Sequence, residues 1–272
     1  NGYERWCLWL GDTPPAELRA MPEAMKRVQA VKALREASKS APTRKLAATP
    51  TRFHVENMPT APYLVLPEVS SERRAFVPFG FEQPETLCSN LVKIAPHALL
   101  LHFGILSSTM HNAWVRAVCG RLKSDFRYSA AIVYNNFPWP FCTPDSQQNT
   151  APAPAQQAQA AIEKEAQEVL DARAQFPGSS LADLYDPLTM PPALLKAHQR
   201  LDAAVDKAHQ LAGGPRAYAN DAARVAFLFT LYQRITSLLP AAASPYPYGK
   251  KSCGITGSIY NFFSSFQLKR VE

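Results

Sequence analysis

Tyr63-Leu64-Val65-Leu66-Pro67-Glu68-Val69-Ser70-Ser71-Glu72-Arg73-Arg74 decides how the chain is read. Four apolar residues bounded by Pro62 and Pro67 read as a short buried strand. Straight after it comes a segment of Glu, Ser and Arg. A polar loop carried on a rigid element suits phosphate positioning and base readout. A surface turn of mixed charge has the same composition, and Arg73 or Arg74 could equally pair with Glu72 or Glu68.

Working outward, a second polar segment of the same kind is Gly120-Arg121-Leu122-Lys123-Ser124-Asp125-Phe126-Arg127-Tyr128-Ser129. It follows a helical pattern over Leu106–Cys119, with Ser107 or Ser108 as cap and Gly120 at the left-handed position after the last turn. Ala75-Phe76-Val77, Leu99 to Phe103 and Ala131 to Tyr134 read as further strands. Residues 51–140 are therefore expected to form a compact α+β unit. Upstream, Thr13 before Pro14-Pro15 reads as a helix start. Met25, Val28, Val31 and Leu34 form an apolar stripe, with Lys26, Arg27, Lys32, Arg35 and Lys39 off it as a solvated or phosphate-contacting face.

Downstream, Thr143 to Ala161 is rich in Pro, Gln and Ala and reads as a linker. Three helical patterns follow. One covers Gln157 to Phe176. A second begins after Pro191-Pro192, with Leu194, His198, Leu201, Val205 and Ala208 on one face and Asp202 and Asp206 off it. The third begins near Asn220 and carries Val225, Leu228, Phe229, Tyr232 and Ile235. The expected organisation is α+β: a recognition domain over residues 1–140 (helical entry 13–41, α+β unit 51–140), a linker over 141–161, a helical bundle over 162–239 and an unassigned tail over 240–272.

Composition narrows the function. The 272 residues carry a net charge of +7 with 47% apolar residues, enough to bury a core. Residues 1–60 hold ten Lys+Arg against six acids and residues 61–140 seven against five, whereas 141–239 hold eight against ten. Any polyanion surface is therefore expected in the first half. No run of about 18 apolar residues occurs, so no membrane partner is expected. The start at Asn1 has no signal-peptide pattern and reads as the interior of a longer protein. Five scattered cysteines lack zinc spacing and point to reduced thiols in a cytoplasmic protein. No Gly-rich phosphate loop, GxSxG or HExxH is present, and no two histidines stand three or four residues apart, where imidazoles would be neighbours on a helix. These absences point to a binding module, or to the non-catalytic part of an enzyme.

An ordered set of segments carries a resemblance. It runs through Arg5-Trp6-Cys7-Leu8-Trp9-Leu10, Ser70-Ser71-Glu72-Arg73-Arg74, Phe103-Gly104-Ile105-Leu106, Met110-His111, Trp114, Gly120-Arg121-Leu122 and Arg127-Tyr128-Ser129, and ends in Tyr134-Asn135-Asn136-Phe137-Pro138-Trp139-Pro140. Together these resemble the target-recognition domain of MmeI-like (type IIL) restriction-modification proteins. Leu181 to Pro187, Met190-Pro191 and Leu201 to Asp206 resemble the helical C-terminal domain of the same family. The resemblance covers roughly residues 1–238.

The resemblance implies the sequence-specific DNA recognition portion of an adenine-N6 DNA methyltransferase. Its partners would be double-stranded DNA and the upstream methyltransferase domain, in a bacterial, nucleoid-associated setting. That family's cofactor loop and Asn-Pro-Pro-Tyr/Phe tetrapeptide are missing. No cofactor is therefore expected in this chain, S-adenosylmethionine belonging to the absent catalytic domain, and the chain alone is expected to be inactive. The alternative is a stand-alone interaction or nucleic-acid-binding module without catalysis. No catalytic or metal residue is expected. The resemblance places base-reading side chains at Glu68, Asn90, Leu91, Lys123 and Asp125. Lys donates to guanine, and Asp and Glu accept from cytosine. Ser70, Ser71, Arg73, Arg74, Arg116, Arg121 and Arg127 are the candidate DNA-backbone contacts.

Overall fold

The computed structural model describes residues 6–54, 56, 59–89, 91–141 and 153–236, together with the backbone of Tyr260–Asn261. It divides into two units, Gly2–Met58 and, with Asn1, Pro59–Glu272.

Within the first unit, Pro15 and Pro22 each sit in a first helical turn, where a missing N–H costs nothing. They open α1 (Pro15–Arg19) and α2 (Pro22–Glu36), and α3 (Ala41–Lys45) leads into a 3₁₀ turn at Leu46–Ala48. Thr13 is not the cap that was expected; Pro14 holds that position, without a side-chain bond. The apolar stripe of α2 is sheltered only in part: Val28 is buried and Met25 and Val31 are half-buried, but Leu34 is 69% exposed. The buried anchor is instead Arg35, which donates to the carbonyls of Leu46 (2.9 Å), Thr49 (2.9 Å) and Arg52 (2.8 Å). Three carbonyls along the 3₁₀ turn and its exit converge on one guanidinium and offset its desolvation.

In the second unit, β1 (Tyr63–Pro67) buries Tyr63, Leu64 and Leu66 and is the central strand of a sheet. Its antiparallel neighbours are β3 (Gly80–Glu82) and β4 (Val92–Pro96), with Leu64 opposite Phe81 and Ala95. The backbone of β7 (Tyr260–Asn261), from the segment left unassigned above, pairs with Lys93 and Ile94 on the outer side of β4. A smaller sheet has the order β2 (Val69–Ser70), β6 (Asp125–Arg127), β5 (Gly120–Leu122).

Three expected strands are not strands. Leu99 to Phe103 enters helix α4 (Leu100–Leu106), because the apolar run continues through the buried Ile105 and Leu106 and the His102 ring accepts the Leu99 N–H. Ala131 to Tyr134 lies in a π-helical turn (Ala130–Tyr134). There Ser129 caps the turn and the Trp114 indole N–H takes the Val133 carbonyl at 3.0 Å. Ala75-Phe76-Val77 is irregular, and the strand forms three residues later at Gly80. Helix α5 (Thr109–Val118) begins at the Ser108 cap, as expected. Its end differs: Cys119 is extended and runs straight into β5, so Gly120 is not a left-handed cap.

The helical part comprises α6 (Ala153–Ala174), α7 (Leu181–Leu184), α8 (Pro192–Leu211) and α9 (Asp221–Thr236). Helix α6 starts inside the stretch read as linker, since Pro154 fits a first turn and Ala and Gln are good helix formers. Leu194, His198, Leu201, Val205 and Ala208 are all buried, as their spacing predicts. On α9 the buried residues are Leu228 and Leu231, while Phe229 is 42% exposed. One core joins Leu66, Phe79, Phe103 and Trp114 of the α+β part to Ile162, Val169, Leu201 and Leu228 of the helical part. Gly104 makes this possible, because a Cβ there would lie 2.7 Å from Ile162 Cγ2 and 3.1 Å from Ala166 Cβ. Among the described residues no helix is long and apolar enough to cross a membrane.

Candidate nucleic-acid interface

The two polar segments, some fifty residues apart in sequence, come together on the three-stranded sheet. Val69 pairs with Arg127 and Ser70 with Phe126, while Arg121 faces Phe126 and Leu122 faces Asp125 from the other side. Residues paired across strands share a face, and neighbours along a strand alternate. One face therefore carries Ser70, Phe126 and Arg121, and the other carries Val69, Gly120, Leu122, Asp125 and Arg127.

The first face turns inward at Phe126 and Ser70, which are 5% and 3% exposed, whereas Arg121 on the edge strand keeps its side chain 44% exposed. The second faces outward: Gly120, Leu122 and Arg127 are exposed, and Val69 is at the margin. Between β5 and β6 a two-residue turn, Lys123-Ser124, forms the tip, and Lys123 has φ of 57°. That left-handed conformation costs a non-glycine residue roughly 1 kcal/mol. The segment is thus a tight hairpin, and Lys123 and Asp125, two residues apart, are not held on one face as alternate residues of an extended strand would be.

Glu68 sits where β1 passes to β2. Its N–H donates to the Leu91 carbonyl (3.0 Å), and its carbonyl accepts from the Tyr128 N–H (2.7 Å). Its carboxylate is shared. Lys93 Nζ lies 3.2 Å from Oε2, and Arg127 places both Nε and Nη2 at 3.2 Å from Oε1. Lys93 is buried in β4, so Glu68 neutralises an interior ammonium and at the same time orients the exposed Arg127.

The sequence-expected residues fall into three groups. Glu68, Leu91, Lys123, Asp125 and Arg127 cluster on or beside the outer face and its tip, and Leu91 is 66% exposed. Asn90 lies outside the described residues. Ser71 starts the turn that presents Arg73 and Arg74, its carbonyl accepting the Arg74 N–H at 3.2 Å, and Arg73 is exposed.

Three residues expected on the DNA backbone are buried or have partners within the chain. Ser70 is buried on the inner face. Arg116 donates to Asp221 Oδ2 (2.7 Å) and to the Arg74 and Ala75 carbonyls (3.2 Å each), tying α5 to α9. Arg121 donates to Glu72 Oε2 (3.1 Å) and the Ser124 carbonyl (2.7 Å), with its guanidinium 4.2 Å above the Phe126 ring. Composition cannot separate these arginines from free ones, because only the strand register reveals which face each occupies. Lys93, Val69 and Leu122 were missed. For Leu122 the signal was the period-two alternation over 120–122 and 125–127, too short to stand out; Val69 lies in a two-residue strand, and Lys93 is a charge inside a buried one.

Histidines serve the interior. His198 stacks on Phe76 with ring centres 4.0 Å apart, and its Nε2 is 2.6 Å from the Tyr185 hydroxyl. His111 Nε2 meets the Tyr128 hydroxyl at 3.0 Å. Burial pushes the imidazoles of both His198 and His111 down to about 3, and that of His209 to about 4. Among the described residues no cluster of His, Cys, Asp or Glu could hold a metal ion.

Residues 1–141 match the MmeI target recognition domain, and residues 153–240 match the MmeI C-terminal domain. The chain belongs to the MmeI target-recognition family. It is similar to "DNA methyltransferase A" of Bacillus subtilis (strain 168), with 37% identity over 236 residues, 87% of this chain and 25% of that protein. It is also similar to a solved structure, that of the type IIL restriction-modification enzyme MmeI in complex with DNA. There the TM-score is 0.76 and the identity 45%, over 86% of this chain and 29% of the other. This MmeI-type chain therefore spans between a quarter and a third of the length of those relatives.

Proposed function

We propose that this chain is the sequence-specific DNA recognition portion of an adenine-N6 DNA methyltransferase of a restriction-modification system. The observation that carries the reading is the outer face of the β2–β6–β5 sheet, where Arg127, Asp125, Leu122 and the Lys123 tip project together beside Glu68 and Leu91. Arg73 and Arg74 flank that face, and phosphate contacts from such residues supply affinity while base edges supply choice. Lys123 donates to guanine O6/N7 and Asp125 accepts from cytosine N4. Adenine N6 is reachable only when the base leaves the stack, so a recognition domain selects which adenine is presented. The methyltransferase portion, with its S-adenosylmethionine, lies elsewhere in the parent protein, which acts on DNA in the bacterial cytoplasm.

The test uses the chain joined to a methyltransferase portion, with methylated sites read by sequencing. One methylated motif is expected, and exchanging Lys123→Asp with Asp125→Lys should change the preferred base pair at one position of it. An unchanged motif removes these two residues from base reading. Methyl transfer by the 272-residue chain alone overturns the assignment of catalysis to another portion.

A further inference from the structure

Arg121 lies on the inner face, opposite the side from which Arg127, Asp125 and Leu122 project. It begins on the edge strand β5 and passes over Phe126 of β6, 4.2 Å from the ring centre. It ends on Glu72, two residues beyond β2. One side chain therefore links the edge strand, across β6, to the turn that follows β2. The nitrogen that meets Glu72 also donates to the Ser124 carbonyl at 2.7 Å, inside the turn that holds Lys123 left-handed.

The strands it spans have two or three residues each, too few to fix a hairpin by their ladder alone. A planar guanidinium stacked on an aromatic ring and forked between two acceptors is suited to that task; an ammonium is not. We propose that Arg121 is a positioning residue. With Glu72 it straps the sheet from behind and sets the Lys123-Ser124 tip, so that it controls which base pair is accepted without contributing a phosphate contact. The proposal rests on the DNA-recognition reading above.

The two roles separate in salt dependence. A phosphate contact removed from duplex DNA lowers the slope of log affinity against log salt by about 0.9, and weakens all sequences alike. The experiment selects duplexes from a random library with the full chain. It then measures affinity for the selected site and for single-base variants over a salt series. The proteins compared are the parent, Arg121→Gln, Arg121→Lys, Glu72→Gln and Arg73→Gln.

Arg121→Gln and Arg121→Lys should both keep the parental slope and lose about tenfold discrimination at one base pair. Arg73→Gln should lower the slope and leave discrimination intact. Glu72→Gln removes no cation and cuts the same strap from its other end, so it should reproduce the discrimination loss even if an Arg121 variant fails to fold. The proposal is overturned if Arg121→Gln lowers the slope with discrimination unchanged while Arg121→Lys behaves as the parent. It is likewise overturned if Glu72→Gln tightens binding to every sequence equally. If the parent selects no sequence and binds without salt dependence, the recognition reading itself fails, and that result is distinct from either of the others.

Discussion

Asp202 of α8 accepts hydrogen bonds from both the backbone N–H (2.6 Å) and the hydroxyl (2.7 Å) of Thr109, so a carboxylate from the helical part caps the first turn of α5. The first N–H groups of a helix have no partner within it, and an anion there also meets the positive end of the helix dipole. Asp202→Ala should therefore lower stability by about 2 kcal/mol, within the range for a lost cap and a charged hydrogen bond. Urea denaturation would measure it. Thr109→Val should retain part of the cap, because the N–H bond survives.

Glu68 holds Lys93 in the interior, with their side chains 17% and 10% exposed. Glu68→Ala leaves that ammonium unpaired and should cost roughly 3 kcal/mol. Glu68→Leu combined with Lys93→Met should recover most of the loss, since an apolar pair needs no neutralising partner. Denaturation midpoints of the single and double variants form the cycle that checks this.

Acid should destabilise the fold well above the ordinary carboxylate range. His111 and His198, pushed down to about 3, and His209, pushed down to about 4, stay neutral in the folded chain but charge near 6.5 once unfolded. Their contribution is complete above pH 6.5 and is lost as pH falls toward 3–4. At pH 5 this amounts to about 2 kcal/mol for each imidazole. Asp202, pushed up to about 6 by burial, acts in the opposite sense: its folded form gains a proton first, recovering roughly 1 kcal/mol by pH 5. Stability should thus fall by several kcal/mol between pH 7 and pH 5, and His209→Gln should make the decline shallower by about one proton. A flat profile over that interval counts against three neutral buried imidazoles.

Gly104 is a packing requirement within α4. Alanine would gain about 1 kcal/mol in helix propensity. Its methyl, however, would press on Ile162 Cγ2 and Ala166 Cβ at 2.7 and 3.1 Å. The overpacked Gly104→Ala chain should be less stable by about 1–3 kcal/mol. Adding Ile162→Ala removes the nearest clash, and thermal melts should show part of the stability restored.

How much of this was legible depended on period and length. The buried face of α8 repeats from Leu194 to Ala208, about four turns, so spacing alone located it. Leu99 to Phe103 and Ala131 to Tyr134 are four or five apolar residues with no room for a period to show, and both proved helical. The strand at Val92–Pro96 was hidden by Lys93, a charge in the middle of a buried run that only Glu68, twenty-five residues earlier, explains. The same limit governed the site. Residue type picked out the two polar segments that meet on one sheet. Which arginines face outward and which are bound to Asp221, Glu72 or a carbonyl follows from pairings between distant strands and helices.

Strand β6 sets Asp125 outward, Phe126 inward and Arg127 outward. Inserting or deleting one residue within β6 would reverse that order, bringing charge against the core and Phe126 to the surface. A letter change at Leu122, Asp125 or Arg127 touches little of the interior, and surface substitutions of that kind usually stay within about 0.5 kcal/mol. Strand β6 is thus fixed in register and free in spelling, so a lineage of such chains can drift by point substitution at these positions while a one-residue length change within the strand is opposed on folding grounds alone.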